Sequence, residues 1–251
     1  MIEVAALWRH PIKSHGREAL ERVTLLAGKT MPWDRFWAVT HSATKFDPRT
    51  ARWMPCGNFM LGARVPALAA IWASLDEESR SITLRHQALD DLQFCPDDPV
   101  GIAEFLAWIA PLCPEGRNRP HSIVSAEGRG MTDSAFPSIS IMSMASHSAV
   151  ADALGVDLKT ARWRGNIWLA GLPAWEEHNW MDRDIRIGKA ILRVRERIKR
   201  CTVTNTNPTT GLRDTDTLAT LKSVFGHQDF GVYAEVIETG EISLGAKAEL
   251  V

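Results

Sequence analysis

Arg193-Val194-Arg195-Glu196-Arg197-Ile198-Lys199-Arg200-Cys201-Thr202-Val203-Thr204-Asn205-Thr206-Asn207-Pro208-Thr209-Thr210-Gly211-Leu212-Arg213-Asp214-Thr215-Asp216 is the stretch on which the reading of the chain turns. An apolar lead-in, Ala190-Ile191-Leu192, runs into alternating charge and stops at one cysteine. Read with a period of two, Arg193, Arg195, Arg197, Lys199 and Cys201 share one face, and Leu192, Val194, Glu196 and Ile198 share the other, which is a strand pattern. Cations beside a thiol favour the thiolate, and a thiolate is a nucleophile or a soft-metal ligand. Beyond Cys201 the chain turns polar, through Asn205, Asn207-Pro208, Thr209, Thr210 and Gly211. A loop of that kind offers backbone N–H groups and hydroxyls to an anion. The plain alternative is a buried edge-strand cysteine beside solvated arginines.

Working outward, short apolar runs punctuated by turn residues recur along the chain. Strands are predicted at 4–8, 23–26, 35–40, 121–125, 138–142, 165–169 and 185–198, with hairpins from 70–74 with 81–85 and from 232–237 with 241–244. In the 35–40 strand, Arg35, Trp37 and Val39 fall on one face. Residues 41–65 read as a long loop and 127–137 as a Gly-rich polar loop. Three helices have clear signals: Asp98 capping a helix that starts at Pro99 and closes at Pro111, Ser143 capping one that reaches Leu154 with Gly155 beyond it, and Asp216 capping one stopped by Gly226. Many short strands, few helices and no strand–helix alternation argue for a mainly β fold with α additions (α+β), built as a barrel. A boundary falls in 113–119.

The 251 residues carry a net charge of −1, with 45% hydrophobic and 24% charged residues, the balance of an ordinary soluble domain pair. That balance implies no broad nucleic-acid footprint, and no stretch is apolar enough for a membrane span. Cys56, Cys95, Cys113 and Cys201 form no Cys-x-x-Cys pair, which argues against a zinc or iron–sulfur site of that spacing and for free thiols in the cytoplasm. Ten tryptophans against one tyrosine read as core and rim packing.

His10-Pro11-Ile12-Lys13-Ser14, followed by Trp33-Asp34-Arg35-Phe36-Trp37-Ala38-Val39, resembles the amino-terminal half of the MOSC family, which includes the mitochondrial amidoxime-reducing component and its bacterial relatives. Arg162-Trp163-Arg164-Gly165-Asn166-Ile167 is similar to that family's Arg-Phe-Arg-Pro-Asn segment. Arg200-Cys201 with Asn207-Pro208-x-Thr210-Gly211 resembles its molybdenum-ligand loop, and His227–Ala234 and Gly240–Gly245 its closing strands.

The resemblance implies an N-terminal MOSC-associated β-rich region over 1–115, whose first strands join the barrel, and a MOSC β-barrel domain over 116–251. It implies a molybdenum cofactor of the Mo-molybdopterin type, with Cys201 as the metal ligand and catalytic residue. Lys13, Ser14, Arg35, Arg164 and Asn166 are the implied contacts to pterin or phosphate, joined by Arg200, Asn207 and Thr210. Ser134 is implied through the loop Thr132–Pro137. The donor chemistry is sensible, because Lys supplies a point charge, Ser an uncharged donor and Arg a planar fork; the alternative for each is ordinary loop polarity. Departures from the family pattern are Gly165 for Pro, Trp163 for Phe, Lys199 where vertebrate relatives have Ser, and Gly245-Ala246 for Gly-Asp.

The expected activity is reduction of small N-hydroxylated or N-oxide compounds by oxygen-atom transfer to a Cys-ligated molybdenum. Electrons would come from a separate flavin, haem or iron–sulfur protein, since no ferredoxin-like extension follows Val251. Nucleic acid and membrane are not expected partners. The alternatives are a non-catalytic cofactor or sulfur carrier using Cys201, a cysteine hydrolase with His227 as base, and a barrel that serves only as an interaction module.

Overall fold

The computed structural model describes residues 1–115, 118–126 and 128–251. Its strands in chain order begin with β1 (Ile2–Arg9), β2 (Glu18–Leu20), β3 (Arg22–Leu25) and β4 (Trp37–His41). After an irregular stretch come β5 (Trp72–Asp76), β6 (Ser81–His86) and β7 (Leu89–Phe94), then helix α1 (Pro99–Ile109). The second half runs β8 (Pro120–Ser125), β9 (Ile139–Ser143), α2 (Met144–Leu154), β10 (Ile167–Ala170), β11 (Asp184–Ile187), β12 (Ala190–Lys199), α3 (Thr217–Phe225), β13 (Asp229–Glu238), β14 (Gly240–Ser243) and β15 (Lys247–Leu250).

Seven of these strands close on themselves in the order β10-β9-β13-β12-β11-β15-β1 and back to β10, with β2 added outside β1. Closure removes the open sheet edges. All of the barrel pairings are antiparallel except β9 with β10. The interior is filled by apolar residues of several strands, among them Val4, Ile141, Leu169, Leu192, Val194 and Val236. Each such side chain is worth about 1.5–3 kcal/mol of transfer free energy. The first strand of the chain is thus a stave of the barrel built mostly from the C-terminal half.

A second core lies under the three-stranded sheet β5-β6-β7 and the pair β4-β8, with α1 packed against them through Phe105 and Ile109. β8 follows the boundary expected in 113–119 yet pairs with β4. Gly116 and Arg117, within that boundary, and Glu127, at the start of the expected Gly-rich loop, lie outside the described residues.

The helix caps are as the sequence reading has them. Asp98 accepts from the N–H groups of Val100 and Gly101, Ser143 from Ser146 and Asp216 from Ala219, and Gly155 and Gly226 end their helices in the left-handed region. Three strand expectations need correction. The run 185–198 is two strands, because Gly188 at φ +56° turns the chain where an added Cβ would sit 2.8 Å from the Glu241 carbonyl oxygen. The expected closing hairpin at Thr239-Gly240 does not form: both edges of β13 are occupied by β12 and β9, so β14 pairs with β3 instead. The strand expected from Arg35 begins at Trp37, because Arg35 has φ +51° and its N–H and C=O are bonded to His10 and Met131. β7 extends the expected hairpin to three strands. Among the described residues no helix is long and apolar enough to cross a membrane.

Candidate functional site

One cavity of about 380 Å³ collects Lys13, Ser14, Arg35, Arg164, Arg200 and Cys201, residues from distant parts of the chain. Local structure explains how each arrives. Lys13 and Ser14 follow β1 in a tight turn in which the His15 N–H donates to the Ile12 carbonyl at 3.0 Å and His15 Nδ1 lies 2.6 Å from the Lys13 carbonyl oxygen. Ser14 has φ +65° and Gly16 φ +72°. A Cβ on Gly16 would meet the Ala73 Cβ at 2.6 Å, so the close approach of this turn to β5 requires glycine. Arg164 ends the 3-10 turn Thr160–Trp163 at φ +51°. Three of the cavity's polar residues, Ser14, Arg35 and Arg164, therefore sit in the left-handed region, a conformation that costs non-glycine residues about 1–3 kcal/mol and that clusters at binding sites.

The electrostatics divide the cations into two kinds. Buried Lys13 donates to the Met131 carbonyl at 2.7 Å and to Asp133 Oδ1 at 2.5 Å. Arg35 pairs with buried Asp34 and donates to the Arg164 carbonyl at 2.8 Å. Burial pushes the Asp34 carboxyl up, but the Arg35 guanidinium and the His10 hydrogen bonds outweigh it and hold the group well below the usual carboxylate range. Arg164 and Arg200 have no carboxylate partner among the described residues. The Arg164 guanidinium has a weak 3.3 Å bond to the Gly16 carbonyl, and burial, then Arg35 and Arg17, push it down to about 9. Arg200 donates to the carbonyls of Phe230 and Trp163 and lies over the stacked rings of those two residues, and burial pushes it down to about 10. Both stay charged at neutral pH. Two cations with no carboxylate bonded to them, although Asp133 lies on the same wall, make a site for an anion.

Cys201 is exposed at the end of β12, just before the 3-10 turn Thr202–Asn205. The basic face expected around it is dispersed. Arg193 pairs with Asp184, Arg195 with Glu235, and Arg197 donates to the His178 carbonyl. Register shifts between Val194 and Glu196 and between Arg197 and Lys199 break the period of two. The cations that share the cavity with Cys201 come half from other segments, Lys13, Arg35 and Arg164, and half from its own, Arg197, Lys199 and Arg200.

The other expected contacts stand elsewhere. Buried Ser134 donates to the Phe136 carbonyl and Ser138. Asn166 ties β9 to β1, its Oδ1 accepting from Ser140 and its Nδ2 donating to the Trp8 carbonyl. Asn207 braces its own loop by accepting from the N–H groups of Thr209 and Thr210 and donating to Asp214, and Thr210 Oγ1 accepts from the Leu212 N–H. None of these four lines the cavity. Neither does His227, whose ring packs on Trp175 and His178. Cys56, which the sequence offered only as one of four free thiols, lines the same cavity as Cys201, where burial and Asp133 push its thiol up and Lys13 opposes them. Sequence reasoning also missed Asp133, Glu196 and Tyr233 on the wall. The one tyrosine of the chain was the only advance signal.

Comparison with known families accounts for most of the chain: residues 1–99 match the MOSC N-terminal beta barrel domain and residues 132–249 match the MOSC domain. The chain belongs to the MOSC family. Its MOSC domain supplies Asp133, Arg164, Arg200, Cys201 and Tyr233 to the cavity, and its MOSC N-terminal domain supplies Lys13, Ser14, Arg35 and Cys56. Among solved structures, the YUAD protein from Bacillus subtilis is similar at 12% identity and TM-score 0.47, with 100% of this chain and 96% of that one covered. YiiM from Geobacillus stearothermophilus (18% identity, TM-score 0.35) and YiiM from Escherichia coli (23%, 0.33) each align with 45% of this chain, and the alignment covers 53% of each of theirs. Comparison with the curated proteins returns no match.

Proposed function

We propose that this MOSC protein binds a molybdenum cofactor of the Mo-molybdopterin type and reduces small N-hydroxylated or N-oxide compounds. One observation carries the reading: Arg164 and Arg200, two cations with no carboxylate bonded to them, share a cavity with an exposed thiol, Cys201. A phosphate-bearing, sulfur-ligated cofactor needs that pair of features, hard cations for its tail and a soft thiolate for its metal. The volume lies in the range of small-molecule sites.

In this reading Arg164 and Arg200 hold the phosphate, and Lys13 and Ser14 bind beside them. Arg35, already committed to Asp34, fixes the Arg164 backbone. Cys201 ligates the metal through its thiolate. When bound, the cofactor supplies two-electron oxygen-atom chemistry, and the protein supplies binding, orientation and exclusion of water. Reduction of an N–OH group consumes two electrons and two protons and releases water, with the electrons delivered by a separate flavin, haem or iron–sulfur protein. All four cysteines are free, which supports a reducing, cytoplasmic setting.

A second reading, a non-catalytic cofactor or sulfur carrier, is favoured by Cys56, a second exposed thiol on the same cavity, since sulfur transfer uses thiol pairs. The test is elemental analysis for molybdenum with pterin fluorescence after acid oxidation, followed by turnover of an amidoxime with a chemical reductant. Metal and pterin with turnover support the reductase, and metal and pterin without turnover support the carrier. Protein that takes up neither, when expressed with the cofactor available, defeats both.

A further inference from the structure

We infer that Glu196, with Tyr233 beside it, is the specificity residue of the substrate subsite and selects compounds whose reacting group carries amidine-type N–H donors; the inference rests on the reductase reading above. By strict alternation Glu196 belongs on the buried face of β12, with Leu192 and Val194. The register shift between Val194 and Glu196 changes that, and Arg195, Glu196 and Arg197 are exposed in succession. Bulges beside active sites re-aim side chains in this way. The result is that Glu196 stands opposite Tyr233 across the β12–β13 ladder and both line the cavity that holds Cys201.

Glu196 is set apart by what it lacks. Of the charged residues near it, Arg193 pairs with Asp184, Arg195 with Glu235 and Lys13 with Asp133, Arg197 donates to the His178 carbonyl, and Lys199, on the same cavity, makes no ion pair among the described residues. Among the described residues Glu196 makes no ion pair and no side-chain hydrogen bond, and the Tyr233 hydroxyl has no hydrogen-bond partner. Burial and Asp133 push the Tyr233 phenol up, so it remains a neutral donor throughout the working pH range. The cavity thus has a cationic, enclosed part suited to an anion and one free carboxylate at its exposed margin, with a phenol next to it.

A carboxylate with both oxygens free accepts two parallel N–H bonds from an amidinium or guanidinium group. An amidoxime offers amino N–H donors on one nitrogen before reduction, and the amidine it yields is a cation with N–H donors on both. A tertiary-amine or pyridine N-oxide has no N–H to offer. Glu196 should therefore favour the first class through binding, and more strongly as positive charge develops on the carbon–nitrogen group.

The test compares wild type with Glu196→Gln, an exposed position where the swap leaves the fold intact by thermal melting. On the cofactor-loaded enzyme, the ratio of kcat/KM for benzamidoxime to that for pyridine N-oxide should fall about tenfold, with Glu196→Asp restoring part of it. Binding is measured independently of turnover, by titrating benzamidine and its neutral isostere benzamide into the protein as purified, in phosphate buffer. Wild type should prefer benzamidine, and Glu196→Gln should lose that preference about tenfold. An unchanged ratio, an equal fall for both substrates, or a benzamidine preference that is absent in wild type or survives the substitution overturns the inference. Should the loaded enzyme turn over neither substrate, the reductase reading fails and the two titrations alone decide the role of Glu196.

Discussion

Arg164→Met separates the cost of the anion site from its use. Arg164 holds a cation in a cavity with no carboxylate of its own, and burial, Arg35 and Arg17 together push it from 12.5 down to about 9. At 1.36 kcal/mol per pKa unit, that shift sets an upper bound of about 5 kcal/mol on what the charge costs the folded state. The guanidinium is partly solvated and bonded to the Gly16 carbonyl, so the realised cost is closer to about 1–2 kcal/mol. Methionine keeps most of the side-chain length and removes the charge. The cofactor-free protein should therefore gain about 1–2 kcal/mol, seen as a rise in Tm of about 2–8 °C for a chain of this size.

The same variant should lose its response to anions. Inorganic phosphate or pyrophosphate binding the folded wild type at ten times its Kd stabilises by about 1.4 kcal/mol. In Arg164→Met most of that shift should vanish, leaving only what Arg200 and Lys13 retain. The assay is thermal melting of cofactor-free protein, wild type and variant, across a phosphate series at constant ionic strength, which keeps general screening apart from site binding. A variant that melts lower than wild type without phosphate, yet keeps the full phosphate shift, would refute the reasoning: Arg164 would then be a structural residue whose bond to Gly16 matters more than its charge.

Other expectations follow from neighbouring residues. Cys201→Ser should abolish molybdenum-dependent turnover with circular dichroism unchanged, whereas Cys95→Ser and Cys113→Ser, away from the cavity, should keep metal content and turnover and shift stability by about 1 kcal/mol at most. Gly16→Ala should cost about 2–4 kcal/mol in urea unfolding, from a left-handed φ and a 2.6 Å overlap with Ala73, while Gly28→Ala, left-handed but with open space around it, should cost only about 1–2 kcal/mol. Burial holds His10 and His15 neutral, down to about 3 and about 4 from 6.5. The unfolded chain takes up their protons first, so stability should fall as pH drops below about 6.5, by up to about 1.36 kcal/mol per pH unit for each histidine until its folded value is reached. His15→Gln should flatten that slope by one proton in urea titrations between about pH 7 and pH 5, and an unchanged slope would show that His15 is already protonated when folded.

What was legible in the sequence follows the range of the forces involved. Helix ends were legible because a cap is a bond between residues two to three apart, as at Asp98, Ser143 and Asp216. Most strands were legible from apolar runs, and the barrel from their number, but β2, β7 and β15, which lack such runs, were not, and neither was pairing. Whether β14 folds back on β13 depends on β9 already occupying that edge, a fact about residues some hundred positions away. The tryptophans followed the same rule. That Trp163 and Trp168 would be buried was legible from type alone, whereas the 3.7 Å stack of Trp163 on Phe230 beneath Arg200 was not.

The site was legible only in part, for a more particular reason. Period-two reading of β12 assigned cations to the Cys201 face, and the two register shifts scattered them onto Asp184, Glu235 and the His178 carbonyl. The charges that share the cavity with the thiol come from Arg197, Lys199 and Arg200 of its own segment and equally from Lys13, Arg35 and Arg164, the last two in left-handed backbone no propensity favours. Resemblance named these residues, but only the fold shows why they can act together. Each is held by a bond to another member's segment: Lys13 to the Met131 carbonyl, Arg35 to the Arg164 carbonyl, Arg164 to the Gly16 carbonyl. Lys13 and Arg35 also meet Asp133 and Asp34, whereas the Arg164 guanidinium is anchored by a backbone oxygen that does not neutralise it. A carboxylate in place of the Gly16 carbonyl would stabilise the cofactor-free cavity and spoil it for an anion, which is the physical sense in which the strained loops serve the site and not the core.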